Sequence, residues 1–193
     1  MSAAIHRLGA VAVLAACGGA NTGQADPQAC APVAAPASDL TADGLAGEYT
    51  VRLIATSGPK QDASANGRLE LRAQDSAYRT MDRVDGSADT TYSFPLYGTA
   101  EVDFAALGAT IPGDPGSSDP SSPGVLVIER PGGVMLRLGS VANRRGIRRF
   151  DGGYMVLQVQ QVTDSGFAGS WRSAANLQES GGHFCAVRGT GGR

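Results

Sequence analysis

Between Glu48 and Thr56 the chain alternates Tyr49, Val51, Leu53 and Ala55 against Glu48, Thr50, Arg52 and Ile54, then stops at Ser57-Gly58-Pro59. A period of two predicts a half-buried strand that ends in a turn. Arg68 to Ala73 repeats the pattern strictly, with Leu69 and Leu71 on one face and Arg68, Glu70 and Arg72 on the other. Thr91 to Phe104 holds two shorter apolar runs around Pro95 and Gly98. A proline inside such a run confines it to an edge, a start or a bulge, so this stretch predicts a bent strand or a broken pair. Val125–Glu129 and Val134–Leu138 flank Arg130-Pro131-Gly132-Gly133, the pattern of a hairpin. Tyr154–Val162 and Phe167–Arg172 make a second hairpin across Asp164-Ser165-Gly166, and Phe184–Arg188 closes the series. No long segment keeps a helical period.

About eight short strands joined mostly by short connections predict an antiparallel meander. An open meander exposes two edges, and closing it removes both. The expected fold is therefore all-β, an antiparallel up-and-down barrel of about eight strands. Such a barrel is just wide enough to be filled by its own side chains or to hold one small ligand. The chain has 27 glycines and few aromatics, which tilts the expectation towards a cavity. Under that reading Tyr49, Leu53, Leu69, Leu71, Tyr154 and Trp171 line an apolar ligand site; otherwise they are a packed core.

Outside the patterned region the composition changes. From Gly18 to about Thr41 the chain is Ala, Gly, Pro, Asn, Gln and Asp with almost no large apolar residue, too little to offset the entropy of ordering it. It predicts a flexible spacer. Before it, His6 and Arg7 precede a nine-residue apolar run, Leu8 to Ala16. Nine residues cannot cross a bilayer, which needs about 20, but they suit a secretory signal. The run closes on Leu14-Ala15-Ala16-Cys17. This tetrapeptide resembles the bacterial lipobox, in which the cysteine is acylated and becomes the mature N-terminus. The resemblance implies an envelope lipoprotein held to the membrane through Cys17. Gly18, where an Asp is absent, favours the outer membrane by likeness to lipoprotein sorting. Conventional cleavage after Ala25 would instead release a soluble secreted protein.

Three cysteines, Cys17, Cys30 and Cys185, make an odd number for an exported chain. Acylation of Cys17 removes the anomaly and leaves Cys30 and Cys185 as an even pair in an oxidising compartment, so a disulfide is expected; the alternative has Cys185 as a small buried hydrophobe. The organisation that follows is a signal peptide at 1–16, a lipid-anchored tether at 17–44, a barrel domain at 45–189 and a short tail at 190–193.

Leu45-Ala46-Gly47-Glu48-Tyr49 at the start of the first strand is similar to the Gly-x-Trp that opens lipocalin-type and other calycin barrels. Arg188, at the end of the last strand, is similar to the arginine that packs under that aromatic in the family. Tyr49 stands in place of the tryptophan, and Trp171, the only one in the chain, lies in the penultimate strand. The resemblance implies an apolar cavity for a small hydrophobic molecule.

Candidate chemistry is sparse. His183 is the only histidine after the signal, and no serine sits in a Gly-x-Ser-x-Gly elbow, which argues against a Ser-His-Asp hydrolase. No zinc-ligand spacing is present. Asp82, Asp85 and Asp89 form a polar loop with Gly86 but fail the EF-hand spacing; Asp114 and Asp119, in the long Gly108–Gly124 loop, point to no metal either. Gln158, Gln160 and Gln161 face either a ligand or solvent. Arg144, Arg145, Arg148 and Arg149 form the densest charge cluster, read as a solvated hairpin tip or as a contact for anionic headgroups and other polyanions. Net charge is −2, so no basic field suggests nucleic acid. The expectation is a non-enzymatic module without cofactor or metal. It binds a small apolar ligand or, alternatively, serves as a structural, protein-interaction or inhibitor-like lipoprotein with a filled barrel.

Overall fold

A computed structural model describes residues 30–35, 37–74, 80–81, 92–111, 124–139, 154–175 and 178–189. Among these residues nine strands form one sheet: β1 (Gly47–Ser57), β2 (Ser64–Ala73), β3 (Thr80–Met81), β4 (Tyr92–Val102), β5 (Gly124–Arg130), β6 (Gly133–Leu138), β7 (Tyr154–Thr163), β8 (Gly166–Ala175) and β9 (Gln178–Arg188). The two residues of β3 pair only with the first residues of β4. The other eight run antiparallel in the order β2-β1-β9-β8-β7-β6-β5-β4, and β2 pairs again with β4. That last pairing, Gly67↔Val102 through Ala73↔Leu96, closes an eight-stranded barrel.

The closure places first and last strands side by side, Tyr49 opposite Arg188 and Leu53 opposite Phe184. Alternation then sends one face of every strand inward. Tyr49, Val51 and Leu53 from β1, Leu69 and Leu71 from β2, Val125 and Val127 from β5, Leu136 and Leu138 from β6, Leu157 and Val159 from β7, and Trp171 and Phe184 from β8 and β9 share one core. Three ladders carry register shifts, between Ser93 and Leu96, Ala55 and Ser57, and Val159 and Gln161. The first of these surrounds Pro95, which supplies no N–H to a ladder. β4 is thus one bent strand with a bulge.

A small barrel bends each strand sharply, and glycines sit where the bend brings backbones together. A methyl placed on Gly98 would lie 1.7 Å from the Glu70 carbonyl oxygen, and one on Gly182 would lie 1.8 Å from that of Ile54. At these positions glycine therefore serves curvature. It narrows the barrel instead of hollowing it.

Candidate functional site

The interior is the first place to look for a site, and it is occupied by its own side chains. Tyr49 meets Phe167 edge to face with ring centroids 5.0 Å apart, and Phe167 meets Phe184 at 5.9 Å. Above them Trp171 spans Gly182, and its indole N–H donates to the Ile54 carbonyl of β1 at 3.1 Å. The absent side chain at Gly182 makes this reach possible: a methyl there would also lie 2.9 Å from Trp171 Nε1. A ligand-sized void would leave accessible area on its walls. Tyr49, Leu53, Leu69, Leu71 and Trp171 instead retain between 1 and 3% of theirs. These five predicted ligand residues are brought together, as a packed core. Tyr154, the sixth, is not among them. Met155, Leu157 and Val159 take the inward positions of β7, so Tyr154 projects outward, where it borders a shallow groove with Ser170, Arg172 and Glu179.

Both mouths of the barrel are covered. At one, Ala42 and Leu45 join the core from the segment leading into β1. The Tyr49 hydroxyl donates to the Leu45 carbonyl at 3.0 Å. Arg188 donates to the Ala46 carbonyl at 2.9 Å and to that of Gly44, and its guanidinium carbon lies 5.0 Å from the Tyr49 ring centroid. One arginine thereby ties the last strand, the first aromatic and the entry segment together. Burial pushes the Tyr49 phenol above its ordinary value, with Arg188 opposing. A raised value means that the folded state holds this proton more tightly than the unfolded chain does. The contribution is complete below about pH 10 and is lost as pH rises through the folded value. Denaturant midpoints should fall as pH is raised above about 10, and Tyr49→Phe should flatten that fall while costing about 1 kcal/mol near neutrality for the lost hydroxyl bond.

At the other mouth a 3-10 turn, Ala105–Leu107, lies across the opening with Phe104, Leu107 and Ala109 in the core. The Asp103 carboxylate accepts from the Ala106 N–H at 3.1 Å, and Gly108 ends the turn at a φ of 64°. Two inward serines hold the chain there. Ser180 donates to the Gly108 carbonyl at 2.7 Å; Ser173 donates to the Thr110 carbonyl at 2.7 Å and accepts from its N–H at 2.8 Å. Ser173→Ala removes the hydroxyl without adding volume and strands two backbone groups of Thr110, an expected loss of about 2–3 kcal/mol, readable as a shifted urea midpoint.

Cys30 and Cys185 form a disulfide, with Cα atoms 5.6 Å apart across a sequence separation of 155. The bond sits on the outer wall, because Phe184 and Ala186 take the inward positions of β9. His183 is outward too, its Nε2 3.2 Å from the Cys30 carbonyl oxygen. From Cys30 the segment runs as a strap: the Ala37 N–H donates to the Gln160 carbonyl at 2.9 Å, and the Ala42 N–H to Glu129 Oε2 at 2.7 Å. Gln160 lies at the β7 bulge, where its carbonyl falls out of the ladder with β8. Of the three glutamines, Gln158 also lies on the outer phase and donates to the Val134 carbonyl at 3.0 Å; Gln161 is exposed.

The outer wall offers shallow grooves. One of about 400 Å³ is bordered by Glu48, Thr50, Arg68, Glu70, Thr99 and Glu101, the polar phase of β1, β2 and β4. Arg72 and Glu70 pair at 2.6 Å on the same wall. Among the described residues no group of three or more His, Cys, Asp or Glu could hold a metal ion. Arg137, between Leu126 and Val156 on the outer phase of β6, is pushed below its ordinary value by burial. Cys17, the cluster Arg144, Arg145, Arg148 and Arg149, and Asp82, Asp85, Asp89, Asp114 and Asp119 lie outside the described residues.

The class defined by this geometry is an eight-stranded antiparallel closed barrel with a self-filled core. Comparison with protein-family models, with curated proteins and with solved structures finds no match for the chain.

Proposed function

We propose that this chain is a bacterial envelope lipoprotein, acylated at Cys17 and sorted to the outer membrane, that displays a non-enzymatic, calycin-like barrel as an interaction scaffold. The packed interior is the observation that carries the scaffold reading. Side chains from all eight barrel strands meet inside and both mouths are stopped by the chain itself, so contact with another molecule falls to the outer wall and the loops. An apolar ligand would have to displace Trp171 or lift the 103–111 segment. The bond between Cys30 and Cys185 supports the anchoring part, because it leaves Cys17, at the lipobox-like tetrapeptide, as the one cysteine still needing a role. Arg188 over the Tyr49 ring supports the calycin likeness. The arginine cluster at 144–149 is the candidate contact for an envelope polyanion or protein partner.

Expression of the full chain in a bacterium with two membranes, followed by mass analysis of the mature N-terminus, tests the anchoring. The expected result is a chain beginning at an acylated Cys17 and recovered with outer membranes, while Cys17→Ala is found as unprocessed or soluble protein. A wild-type chain beginning at Asp26, without lipid, would overturn the reading.

A further inference from the structure

The strap holds a feature that goes beyond scaffolding: its covalent bond fixes how much chain lies between Cys17 and the barrel. Cys30 is thirteen residues beyond Cys17. With the disulfide closed, the outer wall of β9 cannot lie more than about 45 Å of extended chain from the acylated residue. Among the described residues, few contacts pin the first part of the strap. Ala31, Pro32, Ala34, Ala35, Ala37, Ser38 and Asp39 are exposed. Apart from the disulfide, the contacts of residues 30–39 with the barrel among the described residues are Cys30 Sγ 3.8 Å from the Arg52 carbonyl oxygen, the Cys30 carbonyl beside His183 and the Ala37 N–H on Gln160. Apolar packing begins at Leu40 and becomes full burial at Ala42 and Leu45, where Glu129 also engages the backbone. Chain beyond residue 40 is therefore held by the barrel, and chain before it is held by the sulfur bridge.

We infer that the Cys30–Cys185 disulfide is a clasp that sets the stand-off of the barrel from the membrane, and that opening it lengthens the tether without unfolding the barrel. This rests on Cys17 being the anchor. Opening is a thiol–disulfide exchange with a dithiol reductant. One thiolate of the dithiol attacks either sulfur of the bridge and displaces the other cysteine as a thiolate. The second thiolate then resolves the mixed disulfide. The dithiol leaves as a disulfide, two electrons and two protons having passed to Cys30 and Cys185. Both half-buried cysteines retain some access to solvent. Counted on the spacer that the composition predicts, the span from Cys17 to its first attachment then grows from residues 18–29 to about 18–39. The extended limit rises to about 80 Å, and the root-mean-square span of a flexible chain rises roughly 1.3-fold.

The test uses the acylated full-length protein in a supported bilayer, with neutron reflectometry reading the hydrated gap between headgroups and protein layer. Trp171 emission is read in parallel, since the one tryptophan reports whether the core stays dry. Adding a dithiol should widen the gap roughly 1.3-fold with no red shift of Trp171. The double variant Cys30→Ala, Cys185→Ala should show the wide gap without reductant. A chain with the disulfide intact and ten Gly/Ser residues inserted after Gly23 should match the reduced wild type. An anchored protein whose gap is unchanged by reduction overturns the clasp and leaves the anchoring reading standing, and so does a red shift of Trp171 accompanying the widening, because the barrel would then be opening with the strap. Protein that fails to stay on the bilayer as an acylated chain overturns the anchoring reading, and the clasp with it.

Discussion

Gly182→Ala should bring the barrel close to unfolding. The added methyl would stand 1.8 Å from the Ile54 carbonyl oxygen and 2.9 Å from Trp171 Nε1, and the first of these neighbours is backbone, which cannot rotate aside. Relief requires β9 and β1 to part at the closure of the barrel, or Trp171 to withdraw. Withdrawal breaks the hydrogen bond of a buried indole N–H, costing about 1–3 kcal/mol for the unsatisfied donor. Overpacking a tight core adds about 1–3 kcal/mol. The sum, about 2–6 kcal/mol, is a large share of the 5–15 kcal/mol that holds a typical domain. Urea titration followed by Trp171 emission checks it: the midpoint should fall steeply and the native emission should shift to the red. A midpoint within experimental error of the parent would mean that Trp171 does not lie over Gly182. Gly132 supplies the control, because a methyl there meets nothing within 4 Å; its φ of 94° limits the replacement to Asn.

Loss of the disulfide is the second large effect. In the chain-entropy model a bridge closing a loop of this size contributes up to about 5 kcal/mol, and measured values are commonly 2–4 kcal/mol. The value expected here lies in that measured range, because the strap it fastens is mostly exposed and the barrel closes without it through the β1–β9 and β2–β4 ladders. Cys30→Ala with Cys185→Ala should therefore lower the denaturation midpoint clearly and still give a cooperative transition. An unfolded double variant would show that the ladders alone do not hold the closure, and an unchanged midpoint would show that the bridge restrains nothing in the unfolded chain.

The strands were legible because they obey a period of two and end at glycine, proline and aspartate. Glu48–Thr56 and Arg68–Ala73 lie within β1 and β2, and the two hairpins turn where Pro131-Gly132 and Asp164-Ser165 stand. Closure was legible as a consequence of edge avoidance. The phase of β7 was not. Tyr154-Met155-Val156-Leu157 is apolar throughout, so nothing local distinguishes inside from outside, and pairing of Leu157 with Leu136 decides it. That is why Tyr154 falls outside the group it was expected to join. The two stoppers were missed for a related reason. Ala42 and Leu45 sit at the end of an alanine-rich run, and Phe104-Ala105-Ala106-Leu107 trails a strand without any period of its own. One signal could have found the second stopper: Ser173 and Ser180 lie in phase with inward residues, and buried hydroxyls require partners.

The expectation of a hollow interior failed through the glycines. Counted as small residues they suggest space, but at Gly67, Gly98, Gly169 and Gly182 a methyl would lie 1.7 to 2.0 Å from a neighbouring strand's carbonyl oxygen. They draw strands together, and Tyr49, Phe167, Trp171 and Phe184, few as they are, all point into the narrowed core.

Native mass spectrometry of the purified protein tests most directly whether this barrel is filled by itself. The account predicts that native and denaturing spectra give the same mass, two hydrogens below that of the reduced chain for the Cys30–Cys185 bridge. A further small apolar mass, carried through native ionisation and lost on denaturation, would contradict it.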